Sequence, residues 1–329
     1  MTQETRNTIP LVATFFGVPA CTNIDELSAD VAFVGIPYDQ GVALQTPAGE
    51  KWSPRILRDM ILSRREYNYR GVPEWSTIAG EEGAGWFDIN SGEWKLRGVT
   101  MADCGDVNIM LPSEGNFDRM TEVVKRILNR NAFPVVIGGD HSITGPVVRA
   151  FDRFDPLDIV HLDAHLDFSG PMEGVKFHNS SPIRCCSEYP FVRNITQIGI
   201  NEYVRLNGLA KEAYDAAVEY GCNIITAKRF RQVGASQVVE SIPPAKNIYV
   251  TLDVDIMDAA FVPGTGARTP GGLSFLEVQE TLIGIPKRGK VVGFDLNCYN
   301  PTFDPTGRAA KVIVTLILDF LAAIFPSKK

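Results

Sequence analysis

LDIVHLDAHLD, residues 157 to 167, joins two patterns in eleven positions. Leu157 to Leu162 is a short, mostly apolar run of the kind that forms a buried strand. Behind it Asp163, His165 and Asp167 alternate at i, i+2 and i+4, so all three are expected to project to one side where the strand ends. NIYVTLDVD, residues 247 to 255, repeats the device: Asn247 to Leu252 reads as a second buried strand, with Asp253 and Asp255 sharing a face at its end. A third apolar run, Phe133 to Ile137, leads into Gly138-Gly139, a turn that lets the backbone approach a neighbour closely, and then into His141. Polar residues at the carboxyl ends of several apolar strands are what an open parallel sheet offers a site. The strand runs alternate with helical stretches along the chain, so the expected fold is α/β, a single domain with a central parallel sheet flanked by helices.

His141, Asp163, His165, Asp167, Asp253 and Asp255 make a suitable ligand set for two divalent cations. Hard carboxylate oxygens can bridge both ions while neutral imidazoles complete each shell. One DxHxD word alone could be a solvated acidic turn. Two acidic strand ends with a histidine at a third are different, because so many carboxylates in one place repel one another unless cations neutralise them. The chemistry implied is hydrolysis by a metal-bound hydroxide. His161 lies one pleat repeat deeper than Asp163 and reads as a hydrogen-bonded core histidine, outside the site.

The rest of the chain agrees. A length of 329 residues with 45% hydrophobic content can bury one large core, and no linker, repeat or charge block marks a boundary. We therefore expect one catalytic domain over 1–329, with 1–28 as an N-terminal arm. Asp118 to Asn131 carries Met120, Val123, Val124, Ile127 and Leu128 on one helical stripe, and Leu209 to Tyr220 is another amphipathic run, ended by Gly221. A net charge of -7 with dispersed Lys and Arg argues against a nucleic-acid partner. The opening MTQETRNTIP has no export pattern, and Val312 to Phe325 contains Thr315 and Asp319 and falls short of the roughly 20 residues that span a bilayer. It reads as a terminal core helix. A cytoplasmic protein with no membrane contact is the expectation, its six scattered cysteines reduced.

The motif series GIPYD (35–39), DCGDV (103–107), IGGDHSIT (137–144), LDAHLD (162–167), HNSSPIR (178–184), TLDVDIMDAAFVPGTG (251–266) and PGGLS (270–274) resembles that of the ureohydrolases, the arginases and agmatinases, in the same order. The resemblance implies an arginase-like fold and an enzyme that cleaves a C-N bond of a small guanidine-type substrate, releasing urea or an amine. It implies two divalent ions, Mn2+ or Ni2+. One would be held by His141, Asp163, Asp167 and Asp253, the other by Asp163, His165, Asp253 and Asp255, with Asp163 and Asp253 bridging. Asp167 would also serve catalysis, accepting a hydrogen bond from the reacting centre and passing a proton to the leaving amine. His178 stands where the family has a proton shuttle, work that suits an imidazole; otherwise it is a loop histidine in solvent. Asn179 and Ser180 follow it as substrate-binding candidates. Trimers or hexamers, homo- or hetero-oligomeric, are the implied assembly.

Departures from the family pattern fall on the substrate side. In FDLNCYNP, residues 294 to 301, Cys298 stands where the family has a glutamate that pairs with the substrate guanidinium, and a thiol cannot make that forked ion pair. Arg268 and Thr269 precede PGG, where many agmatinases carry a glutamate. GEKWSPRILR, residues 49 to 58, has Lys51, Trp52 and Ser53 where a typical member has arginine, an aromatic residue and glycine. Arginine and agmatine are therefore not the expected substrates. Arg268 would face a substrate carboxylate or hold its own loop. A nickel-dependent guanidine or metformin-type hydrolase, and a catalytically weak partner subunit of a hetero-oligomer, stay open as alternatives.

Overall fold

The computed structural model describes residues 13–41, 48–65, 85–111, 115–201, 208–268 and 270–328. Its strands in chain order are β1 (Val31–Gly35), β2 (Trp86–Asp88), β3 (Glu93–Lys95), β4 (Met101–Asp106), β5 (Phe133–Ile137), β6 (Leu157–Leu162), β7 (Val192–Ile200), β8 (Asn223–Thr226), β9 (Ala245–Asp253) and β10 (Gly289–Asn297). The helices are α1 (Ser53–Arg65), α2 (Asn116–Asn129), α3 (Thr144–Val148), α4 (Pro182–Ser187), α5 (Gly208–Tyr220), α6 (Ala227–Ser241), α7 (Phe275–Gly284) and α8 (Arg308–Ile324). Strands β2 and β3 form a separate antiparallel hairpin.

The other eight strands form one sheet in the order β4-β1-β5-β10-β9-β6-β7-β8, every neighbouring pair parallel. The chain builds one half with β1, β4 and β5, crosses to build the other with β6 to β8, and returns with β9 and β10 to fill the middle. The strand ends that carry the ligand-type residues, β5, β6 and β9, thereby become near neighbours around β10. In open α/β sheets such a change of winding direction leaves a crevice at the carboxyl edge.

Strand alternation divides the core into two layers. Val31, Phe33, Val135, Ile137, Val160, Leu162, Val250 and Leu252 face one way and pack with Ile313, Leu316, Ile317 and Phe320 of α8 and with α6 and α7. Ala32, Val34, Val136, Ile159 and Tyr249 face the other way, against Met120, Val124, Ile127 and Leu128 of α2 and against α3 and α4. Both faces of β5 and β6 are buried throughout, which is why they read as mostly apolar runs rather than as alternation.

The expected strands at 133–137 and 157–162 coincide with β5 and β6, and the run 247–252 forms the body of β9. The helix expected from Asp118 begins two residues earlier, at Asn116, and the terminal helix begins at Arg308, where Gly307 adopts a left-handed φ of 64°. The apolar stripe of α8 is buried inside the fold, so its hydrophobic character reflects packing against the sheet. Of the expected N-terminal arm, the described part packs on the body of the molecule: Phe15, Phe16, Val18, Ile24 and Leu27 are all buried.

Candidate metal centre

His141 is placed by a chain of tight backbone approaches. A Cβ on Gly139 would run into the Tyr38 carbonyl, and one on Gly138 would strike the Asn297 side chain, so only glycine fits the turn after β5. Asp140 then caps a short 3-10 turn, His141–Ile143, accepting from Ser142 N at 2.9 Å while also accepting from Gly41 N at 2.8 Å. Burial pushes the Asp140 carboxyl up to about 6 against these hydrogen bonds. Its work is positional: it holds the histidine-bearing turn against the loop after β1.

The acidic residues leave their strands sooner than alternation suggests. β6 ends at Leu162; Asp163 Oδ1 accepts from His165 N at 2.6 Å, and Asp167 has a left-handed φ of 49°. β9 ends at Asp253, and Asp255 lies in a 3-10 turn, its N-H donating to Asp253 Oδ1 at 2.9 Å. Short carboxylates compete for their own backbone N-H groups and fold the chain into turns. The residues still converge, through turn geometry instead of an extended pleat.

The convergence is close. His141 Nδ1 faces Asp167 Oδ2 at 2.9 Å, Asp163 Oδ2 at 3.1 Å and Asp253 Oδ2 at 3.3 Å. His165 Nδ1 faces Asp255 Oδ2 at 3.1 Å and Asp163 Oδ1 at 3.3 Å. Asp163 thus turns one oxygen to each histidine. Nε2 of His141 meets Thr251 Oγ1 at 3.0 Å on the far side; among the described residues Nδ1 has no hydrogen-bond partner despite the three carboxylates around it. With Nε2 protonated, Nδ1 presents a lone pair to three acceptors, an arrangement that a cation between them would satisfy.

The electrostatics show the same demand. Burial opposes charge on His141, yet Asp163, Asp167 and Asp253 outweigh it and hold the imidazole well above its ordinary pKa. For His165, Asp255 and Asp163 likewise overcome burial. Burial, then the charge of Asp253, raises Asp255 well above the carboxylate range, and burial with Asp163 raises Asp167. Asp163 is held well below that range: burial works against its charge, but His161, His141 and His165 prevail. Protons are thus substituting for positive charge that the cluster calls for.

His161 is fully buried. Its Nε2 meets Asp163 Oδ2 at 2.7 Å and Gln197 Nε2 approaches its Nδ1 at 3.2 Å, so it supports Asp163 from beneath as a hydrogen-bonded core residue. A second buried network orients His141: Thr144 Oγ1 donates to Asp295 Oδ2 at 2.9 Å, Tyr249 Oη donates to the same oxygen at 2.6 Å, and Asn297 Nδ2 donates to Asp295 Oδ1 at 2.7 Å. Thr251 precedes Asp253 and Asp255 at the same two-residue spacing, a signal in the sequence that could have revealed it. Asp295 and Asn297 had no comparable mark.

His178 is buried, with Nε2 3.0 Å from the Gly170 carbonyl and Nδ1 without a hydrogen bond among the described residues, so it is not a solvent-exposed loop histidine. Asn179 N donates to Gly41 O at 2.7 Å, which ties the HNSS loop to the loop after β1, and Ser180 O accepts from Ser169 N at 2.9 Å. Arg268 lies over the Phe303 ring, 4.6 Å from its centroid. Thr269 lies outside the described residues. Cys298 has a φ of 64°, donates its N-H to Gly139 O at 2.8 Å, and places its sulfur within 4.8 Å of ligand atoms of His141 and Asp253. Burial, then Asp253, Asp255 and Glu50, pushes that thiol well above its usual pKa.

A family model described as the Arginase family matches residues 29–323. A proclavaminate amidinohydrolase of Streptomyces clavuligerus is 30% identical over 287 residues, which cover 84% of this chain and 82% of that protein. A guanidinobutyrase of Pseudomonas aeruginosa is 28% identical over 327 residues, covering 95% of this chain and 92% of its own. The solved structure of the Streptomyces clavuligerus enzyme superposes with a TM-score of 0.75 at 28% identity, covering 96% of this chain and 97% of that one. Matched along nearly its whole length in both sequence and fold, the chain belongs to the Arginase family and is a hydrolase of the ureohydrolase class.

Proposed function

We propose that the protein is a binuclear metal-dependent amidinohydrolase acting on a small guanidine compound. The observation that carries this reading is the unpartnered Nδ1 of His141 amid three carboxylate oxygens, linked through the two oxygens of Asp163 to the His165–Asp255 pair. His141, Asp163, Asp167 and Asp253 would hold one ion and Asp163, His165, Asp253 and Asp255 the other, with Mn2+ and Ni2+ both compatible with nitrogen and oxygen donors. When bound, such a pair supplies a nucleophilic hydroxide near neutral pH.

The chain's own residues supply the remainder. Asp167, at the edge of the cluster, accepts a hydrogen bond from a substrate nitrogen and hands a proton to the leaving amine. His178, buried with one ring nitrogen unpartnered among the described residues, would relay a further proton between the reacting centre and solvent. Asn179 and Ser180 border the substrate on the same loop. Arg268, laid on Phe303, holds its own loop in preference to a substrate carboxylate. Cys298 removes a carboxylate from the cleft wall and shifts preference away from arginine and agmatine. The same thiol is the one feature that favours the second reading, a catalytically weak subunit that works beside a partner. Cytoplasmic residence and assembly as trimers or hexamers complete the proposal; among the described residues no helix is long and apolar enough to cross a membrane.

The test is urea or amine release from a panel of free guanidine, guanidino acids, alkylguanidines, biguanides, agmatine and arginine, with Mn2+ and with Ni2+. Efficient turnover of one small guanidine and poor turnover of arginine and agmatine are expected. No turnover of any member by the metal-loaded chain would favour the partner-subunit reading.

A further inference from the structure

Glu50 is only 4% exposed, yet its Oε2 has no hydrogen-bond partner among the described residues. Asp39 is 8% exposed, and its Oδ2 accepts no hydrogen bond among the described residues but is ion-paired with Lys51 Nζ at 3.6 Å. Leaving the buried Glu50 oxygen without a donor costs stability, so a function is the natural explanation for keeping it. The position of Glu50 narrows that function. It begins the 3-10 turn after Gly49, and a Cβ on Gly49 would collide with the Asn300 side chain, so this turn is pressed against the loop that carries Cys298 and Asn300. Burial raises the Glu50 carboxyl to about 7, with Asp140, Asp39 and Asp253 adding repulsion, and Glu50 in turn is among the charges that raise the Cys298 thiol. The turn that carries Glu50 thus borders the loop of Cys298 and Asn300, and the Glu50 and Cys298 side chains feel each other's charge.

We propose that Glu50 is the carboxylate that recognises the cationic guanidinium of the substrate, doing from the loop after β1 what a thiol at position 298 cannot. The free oxygen of Glu50 offers a guanidinium a charge-assisted N-H···O bond, and substrate binding would supply the missing donor. This inference rests on the guanidine-hydrolase reading for its substrate, but its test does not depend on turnover.

The test compares the Mn2+-loaded wild-type protein with Glu50→Gln, using calorimetric binding of guanidinium and methylguanidinium against urea and methylurea, neutral compounds of similar shape. Glu50→Gln is expected to keep its metal content and its urea affinity while binding the guanidinium ions at least tenfold more weakly. Guanidinium affinity within twofold of wild type overturns the proposal, as does equal weakening of cations and neutral compounds, which would mean that Glu50 only holds its loop. If the glutamine variant does not fold, Glu50→Ala gives the same comparison. Binding of guanidinium that depends on Glu50, in a protein that hydrolyses no guanidine, leaves this inference standing and removes the hydrolase reading. Hydrolysis with binding independent of Glu50 does the reverse, and no guanidinium binding by wild type overturns both.

Discussion

Glu50 carries a stability consequence of its own. Its folded-state pKa, about 7, lies above that of an unfolded glutamate, so the folded metal-free protein holds a proton that the unfolded chain has released. Stability should therefore fall as pH rises from the ordinary carboxylate range through about 7, by about 3 kcal/mol from this group. Glu50→Gln should recover much of that at pH 8 and change little at pH 4.5, as read by urea unfolding of metal-free protein at both values. A glutamine variant less stable than wild type at pH 8 would contradict it. His178 gives a second expectation at this scale: His178→Asn should lower turnover about a hundredfold with the metal content unchanged, shown by steady-state rates beside elemental analysis. An unchanged rate would leave solvent as the proton carrier. Glu50 was also the residue least legible in the sequence. In GEKWS the unusual Lys51, Trp52 and Ser53 draw attention, yet Trp52 is 52% exposed and Lys51 pairs with Asp39, while the buried side chain with an unsatisfied carboxylate oxygen is the one before them. The loop pressed against its turn, at Asn300, is far away in the chain, and no local pattern could announce it.

Among the elements, legibility followed burial. β5 and β6 were readable end to end because both faces are covered and their runs are mostly apolar. The turns that follow β6 and β9 were not, because side-chain hydrogen bonds from Asp163 and Asp253 to backbone N-H groups decide them, and an alternating DxHxD or DxD looks the same in a strand or a turn. The Gly138-Gly139 turn was legible as a close approach, though its neighbours, the Tyr38 carbonyl and Asn297, were not. Gly139→Ala tests that turn. A methyl group there meets backbone rather than a mobile side chain, so the variant should lose about 1–3 kcal/mol and bind metal more weakly as His141 is displaced, by chemical unfolding and metal titration. Wild-type stability and metal affinity in the alanine variant would refute the steric account.

For the whole molecule, winding one sheet from both sides gathers acidic groups that repel one another at a buried edge, and the fold is stable there to the extent that positive charge is supplied. Metal removal should therefore lower the thermal midpoint, and ligand at about a hundred times its Kd should restore about 2.7 kcal/mol per independent site. Differential scanning with and without chelator would show it; an unchanged midpoint would mean that the cluster is content with protons. The family and fold were already legible in the motif series, whereas the assembly was not, since the apolar α8 that might have signalled an interface is buried within the chain. The most direct measurement is elemental analysis of the purified protein and its Asp163→Asn variant after loading with Mn2+ or Ni2+. A binuclear centre bridged by Asp163 predicts two divalent ions per wild-type chain and loss of both in the variant. One ion or none in the wild type, or two retained without the Asp163 carboxylate, would contradict it.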